Sequence, residues 1–163
     1  MTSPANVYGS VTYVDKNVDI SGYWVAANPK LVKAFGYTHI LKLFEDDDTY
    51  YGGYHRHPNV TYMVVNAMDS PKFKLENYFA SCLDFIQKAI ARKGKILIHC
   101  HAGISRSATI VLLYLMTICG LTLDKAMALL KSKREIVRPN AGFMTALRKM
   151  DERLKKYRVG PPK

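Results

Sequence analysis

A short run of β-formers, Lys95 to His99, leads straight into a polar stretch, Cys100-His101-Ala102-Gly103-Ile104-Ser105-Arg106-Ser107. An apolar run, Ala108 to Ile118, follows it and is too long for a strand in this setting. Strand, tight turn and helix in that order aim several backbone N–H groups and a helix N-terminus at one spot. Such a spot attracts an anion. Inside the turn sit one thiol, Cys100, and one guanidinium, Arg106, at C-x5-R spacing. A helix N-terminus and a fixed positive charge both favour a thiolate, and can bring a cysteine pKa from about 8.5 to roughly 3.5–7.5. Thiolates attack phosphorus well, and a planar guanidinium can grip two phosphoryl oxygens. The chemistry suggested is phosphoryl transfer to sulfur.

The string from His99 to Thr109, HCHAGISRSAT, resembles the active-site loop of the dual-specificity protein phosphatases, a branch of the cysteine-dependent protein tyrosine phosphatases. His before the Cys, Ala-Gly inside the loop and Ser-Arg-Ser-Ala-Thr at its exit add to the bare C-x5-R. Asp19-Ile20-Ser21-Gly22-Tyr23, Asn28-Pro29 and Thr38-His39-Ile40-Leu41 are similar to the family's opening strands. Leu113-Tyr114-Leu115-Met116 resembles its post-loop helix, and Arg138-Pro139-Asn140-Ala141-Gly142-Phe143 the start of its last helix. The resemblance covers about residues 7–157. It implies hydrolysis of phosphotyrosine and of phosphoserine or phosphothreonine through a phosphocysteine, on a phosphorylated protein substrate and with no cofactor.

Length and composition agree with a globular protein: 163 residues, 48% hydrophobic and 23% charged. The expectation is one domain over 1–163, with a core of about 7–157 and a short disordered tail, 158–163. Three cysteines, Cys82, Cys100 and Cys119, form no even framework and no C-x-x-C pair, which suits a reducing compartment. With neither a signal peptide nor an apolar run long enough to span a bilayer, the expected site is the cytoplasm, with the nucleus as an alternative. The net charge of +11 gathers late in the chain, from Lys131 to Arg158. A solvated helix face accounts for it, and peripheral binding to an anionic surface is the sharper alternative. No dedicated nucleic-acid site is read, and a monomer is expected.

Val11–Asp15, Asp19–Val25, Thr38–Phe44, Val60–Val65 and Lys95–His99 read as strands. Asn28 caps a brief helix that begins with Pro29 and stops at Gly36. Leu75, Phe79, Cys82 and Ile86 mark one face of a helix ending near Gly94. The post-loop helix runs through Cys119, Thr122 caps a helix through Arg134, and Pro139-Asn140 opens the last one. Alternating strands and helices argue for an α/β fold: a central mixed sheet flanked by helices, protein tyrosine phosphatase-like by resemblance.

Displacing an alkoxide or phenoxide needs an acid, and the resemblance places the family's general acid at Asp69, 31 positions before Cys100. On residues alone a turn role in Asp-Ser-Pro is equally open. Asp46, Asp47 and Asp48 are the rivals and read better as a solvated run. Ser107 follows the Arg, and the family's hydroxyl there stabilises the sulfur as leaving group; helix capping is the alternative. His101, Ala102, Gly103, Ile104, Ser105 and Arg106 form the phosphate loop, with Gly103 supplying positive φ or close approach. The resemblance gives His99 the task of tuning the thiolate from below, and Asn140 that of bracing the loop. His101 is expected to face solvent. Arg134 and Arg138 are candidates for steadying the region, with exposed surface charge the default. His99-Cys100-His101 has no second ligand pair, so no metal site is expected.

Among subfamilies, the loop lacks the extra lysines of phosphoinositide phosphatases and the Thr-Gly exit of RNA triphosphatases. The amino-terminal part has no Lys-Asn-Arg-Tyr segment of strict tyrosine phosphatases. A small, stand-alone, atypical dual-specificity phosphatase is the expectation. The alternatives are a phosphatase of a phosphoinositide, RNA or glucan on the same fold, and a catalytically dead phospho-binding module.

Overall fold

A computed structural model describes residues 9–45 and 54–158. Strands β1 (Thr12–Tyr13), β2 (Val18–Ser21), β3 (His39–Leu43), β4 (Thr61–Val65) and β5 (Ile96–His99) form one sheet in the order β1-β2-β5-β3-β4. The pairs β2·β5, β5·β3 and β3·β4 are parallel, and β1 joins the β2 edge antiparallel. The sheet is therefore mixed, as expected. The last chain-order strand lies in the middle, so the connections diverge on either side of β5. Open α/β sheets place their ligand crevice at such a switch point, beyond the strands' carboxyl ends. Cys100 is the residue that leaves β5 there.

The sheet has two buried faces because its central strands carry apolar side chains on both. Ile96, Ile98, Leu41 and Leu43 pack into the larger core. Leu97 and Ile40, their neighbours in sequence, point to the smaller one with Tyr23, Val32, Tyr37, Phe44 and Tyr54. Helices α1 (Tyr23–Ala26) and α2 (Pro29–Phe35) cover the smaller core. A 3-10 turn (Leu75–Tyr78), then α3 (Phe79–Ala91), α4 (Arg106–Thr117), α5 (Leu123–Lys133) and α6 (Ala141–Arg158) cover the larger. Every residue of α4 from Ser107 to Met116 is buried, which explains a run with no polar face. Each large aliphatic side chain buried in it contributes about 1.5–3 kcal/mol. The end that carries Arg106 is thereby anchored.

Caps fall where the sequence places them. Asn28 accepts from the Lys30 and Leu31 amides, and Thr122 accepts from Lys125. Gly36 closes α2 at φ +75°, a backbone state that costs glycine nothing. Several boundaries differ from expectation. The strand expected over Asp19–Val25 stops at Ser21, because the Tyr23 amide turns away from the sheet to bond His101 O at 2.8 Å, and Tyr23–Ala26 become helical. The helix expected from Leu75 starts as a 3-10 turn before Phe79. Arg158, expected in the tail, ends α6 and pairs with Asp151 at 2.6 Å. Asp46, Asp47, Asp48 and residues 159–163 lie outside the described residues. Among the described residues no helix is long and apolar enough to cross a membrane.

Candidate active site

The loop from Cys100 to Ser105 has all six of its carbonyl oxygens held from outside. His99 Nδ1 meets Cys100 O at 3.1 Å, the Tyr23 amide meets His101 O, and Arg134 Nη2 and Nε meet Ala102 O and Gly103 O at 3.2 and 2.9 Å. The Arg138 amide takes Ile104 O at 2.8 Å, and Thr109 gives both its amide and its hydroxyl to Ser105 O. In a trans peptide the carbonyl and the next N–H point opposite ways, and the described residues contain no cis bond. Carbonyls pulled outward therefore turn the amides inward. The result is a ring of N–H dipoles above the N-terminus of α4, an anion cradle whose shape is set before any anion arrives.

Cys100 Sγ sits in that ring, 2% exposed by residue, and accepts the Gly103 amide at 3.2 Å. Ser107 Oγ lies 3.1 Å from the sulfur. Ser107 is the second residue of α4, so its hydroxyl serves the sulfur and does not cap the helix. Gly103 has φ +69°, and a Cβ there would lie 2.6 Å from Arg134 Nη2 and 2.8 Å from Ser21 O. Both strain and space demand glycine. Arg106 donates from Nη1 to Ala67 O at 3.0 Å, and its guanidinium lies over the Phe44 ring at 5.3 Å. Its Nε is buried and makes no hydrogen bond among the described residues. A phosphoryl oxygen would satisfy it.

His99 is fully buried in β5. A carbonyl only accepts, so Nδ1 carries the proton toward Cys100 O; in a neutral ring Nε2 then accepts from Tyr54 OH at 2.9 Å. Burial, and secondarily the charges of Lys42 and Arg106, pulls the His99 pKa down to about 3. Tyr54 in turn stacks on the imidazole at 5.6 Å, and the Lys42 ammonium lies over the Tyr54 ring at 4.2 Å. The imidazole held against the Cys100 carbonyl is thus neutral. An unfolded histidine binds its proton near pH 6.5, well above the folded value, so the unfolded state holds more protons between those two limits. Stability should fall as pH drops from about 6.5, at up to about 1.4 kcal/mol per pH unit for this one proton. His39 and His101 are lowered in the same direction. The difference between wild type and His99→Gln in urea unfolding over that window isolates the site. An unchanged pH slope in the variant would show that His99 is charged in the fold.

Asp69 follows β4 on the loop whose Ala67 carbonyl holds Arg106, so the Asp69 loop and the Cys100 loop are joined. Its exposed carboxylate accepts from Asn140 Nδ2 at 3.0 Å. Besides its carbonyl, which accepts from the Met144 amide, Asn140 makes three connections: its amide to Ser105 Oγ, its Oδ1 from the Phe143 amide, and its Nδ2 to Asp69. Asn140 thus both braces the loop and caps the helix. Two residues later α6 touches the Asp69 loop itself, for a Cβ on Gly142 would clash with Pro71 O. Only glycine permits that approach.

Arg134 overturns the default reading of exposed charge. It is 2% exposed, and besides the two loop carbonyls its Nη1 donates to Ser10 O at 3.2 Å and Thr12 Oγ1 at 3.1 Å. Burial works against its charge, and the Cys100 sulfur supports it. Arg138 is exposed and contributes its backbone amide. His101 is half-buried against Phe44 at 5.7 Å, so it does not simply face solvent. The sequence reading missed Tyr54, Phe44 and Ala67. Tyr54 stood in a segment read only as irregular and polar, and a backbone carbonyl such as Ala67 O has no signature in side-chain type. Among the described residues no group of three His, Cys, Asp or Glu is placed to hold a metal ion.

A family model described as the catalytic domain of dual specificity phosphatases matches residues 21–153. This chain belongs to the dual specificity phosphatase family. Dual specificity protein phosphatase 1 of Arabidopsis thaliana is 37% identical over 150 residues, covering 86% of this chain and 73% of the relative. Dual specificity protein phosphatase 26 of Homo sapiens is 38% identical over 137 residues, 80% of this chain and 62% of that protein. The chain thus spans less than two thirds of the human relative's length. Human DUSP28 superposes with a TM-score of 0.78 at 26% identity, over 89% of this chain and 95% of that one. Human tyrosine phosphatase-like serine/threonine/tyrosine-interacting protein reaches 0.82 at 26% identity, over 89% and 97%. The fold of the dual specificity phosphatases is therefore shared even by a protein named only phosphatase-like, and the site must carry the argument for chemistry.

Proposed function

We propose that this dual specificity phosphatase domain hydrolyses phosphotyrosine and phosphoserine or phosphothreonine in proteins, through a phosphocysteine on Cys100. The observation that carries the reading is the cradle: six carbonyls held outward around one sulfur, with the Arg106 Nε turned to no acceptor among the described residues. The inward amides and Arg106 hold the equatorial phosphoryl oxygens, and their charge grows toward the transition state, where fixed dipoles stabilise most. In the first step the Cys100 sulfur forms a bond to phosphorus while the bond to the substrate oxygen breaks, and Asp69 gives its proton to that oxygen. In the second, Asp69 takes a proton from water as the water oxygen attacks phosphorus. The sulfur leaves with the bonding pair, helped by the Ser107 hydroxyl, and inorganic phosphate is released.

The deciding experiment is turnover by the full chain on phosphotyrosyl and phosphothreonyl peptides, a phosphoinositide, a 5′-triphosphorylated RNA and a phosphoglucan. Release of phosphate from both peptide classes, with the other three at background, is the expected result. Faster turnover of any non-protein phosphate than of the peptides would replace this reading, and binding of all without turnover would make the chain a phospho-binding module. Cys82, Cys100 and Cys119 are all free thiols. That supports a reducing compartment as the working location.

A further inference from the structure

Beyond Asp69 the chain runs alongside the first three turns of α6, and two adjoining recesses lie between them. The recess nearer Asp69, about 200 Å³, is lined by Pro71, Phe73, Lys74, Glu76, Thr145 and Lys149 among others. The next, about 260 Å³, shares Glu76, Ala146 and Lys149 and reaches Met150 and Arg153. Together they make one groove. Its inner end is fixed at the active site, where Gly142 abuts Pro71 and Asn140 holds Asp69. From Gly142 to Arg153 the helix rises about 16 Å, the span of about five extended residues.

The groove is cationic over an apolar floor. Phe73, Ala146 and Met150 supply the floor, while Lys74, Lys149 and Arg153 stand against the single carboxylate of Glu76. Among the described residues none of those three cations forms an ion pair, whereas Arg158, farther along the same helix, is paired with Asp151. Cations spaced along a recess match an extended chain bearing several monoanions better than one phosphate, which asks for converging donors. A flat lipid surface would use exposed charge but has no use for a recess with a floor.

We propose that this groove is a substrate subsite for aspartate or glutamate side chains of the phosphoprotein, within about five residues of the scissile phosphoryl group. The inference rests on the protein phosphatase reading and adds to it a preference for acidic sequence context. Glu76 tempers the field and keeps the groove from holding any polyanion indiscriminately.

The test compares phosphotyrosyl peptides that carry Asp and Glu, or Asn and Gln, at the positions two to five residues from the phosphotyrosine, on either side. Enzymes are wild type, the double variant Lys149→Glu with Arg153→Glu, and Glu76→Gln, with an aryl phosphate as control. Wild type should favour the acidic peptide on one side by roughly three- to tenfold in kcat/KM, carried by KM and shrinking as salt is raised. The double variant should lose that preference while keeping its rate on the aryl phosphate, and Glu76→Gln should widen it. Equal kcat/KM for acidic and neutral peptides would overturn the subsite and leave the protein phosphatase reading intact. Turnover of the aryl phosphate with none of any peptide would remove both. Competition by phosphatidylserine vesicles that the double variant loses, with no peptide preference, would assign the surface to lipid instead.

Discussion

Cys100→Ser is expected to abolish turnover, by at least about 10⁴-fold, while the loop goes on binding phosphate analogues. A serine hydroxyl stays protonated in a site built to receive a sulfur anion, and makes a poor leaving group from phosphorus. Binding should survive because little of the cradle depends on the sulfur. The six carbonyl contacts come from Tyr23, His99, Thr109, Arg134 and Arg138, and none of those donors is altered. What the variant weakens are the sulfur's two contacts, from the Gly103 amide at 3.2 Å and with Ser107 Oγ at 3.1 Å, which the shorter side chain meets less well. Steady-state assays on an aryl phosphate give the first half, and calorimetric titration with vanadate or tungstate the second. Residual turnover near the wild-type rate would take Cys100 out of the mechanism. Loss of oxyanion binding together with activity would mean that the sulfur, and not the outward carbonyls, sets the loop.

Asp69→Asn should separate substrates by their leaving groups. An electron-poor phenolate departs from phosphorus without a proton, whereas a threonine alkoxide does not. Phosphothreonyl peptide hydrolysis should therefore fall by about 10²–10⁴-fold, the usual worth of a general acid, with a far smaller loss on an activated aryl phosphate. Asparagine keeps the size of the side chain and an oxygen for Asn140 Nδ2, so the loop geometry seen at 3.0 Å can persist. Equal slowing of both substrates would reduce Asp69 to a turn residue and reopen the case for Asp46, Asp47 and Asp48.

How much of this was legible in the sequence depends on which interactions leave a trace in residue type. The switch from β-formers at Lys95–His99 to an unbroken apolar run gives strand, loop and buried helix, since period and length are physical consequences of packing. Caps at Asn28 and Thr122 and the stop at Gly36 were legible for the same reason. Tyr23–Val25 reads as strand because Tyr-Trp-Val favour extended backbone. The bond from the Tyr23 amide to the loop outweighs that local preference, and it is visible only in three dimensions. Arg134 is a candidate for steadying the loop, with surface charge the default because arginine in a basic stretch usually lies outside. Its burial follows from acceptors contributed by residues 10, 12, 102 and 103, which no local window contains. The positions of the cradle residues were thus readable, and the scaffold that shapes the cradle was not.

The long reach of that scaffold has a kinetic meaning. Arg134 joins partners 124 and 122 positions earlier in the chain, Arg106 reaches back 39 to Ala67, and Asn140 reaches back 71 to Asp69. Contacts of such separation close late, because the loop entropy must be met before they return anything. On refolding from denaturant, secondary structure and a compact sheet should therefore appear before enzymatic competence does. During synthesis the nucleophile would emerge well ahead of the residues at 134 and 140 that shape its surroundings. A nascent chain halted between those points would hold its thiol in an unfinished loop, unable to act on any phosphate in the cell until the start of the last helix had been made.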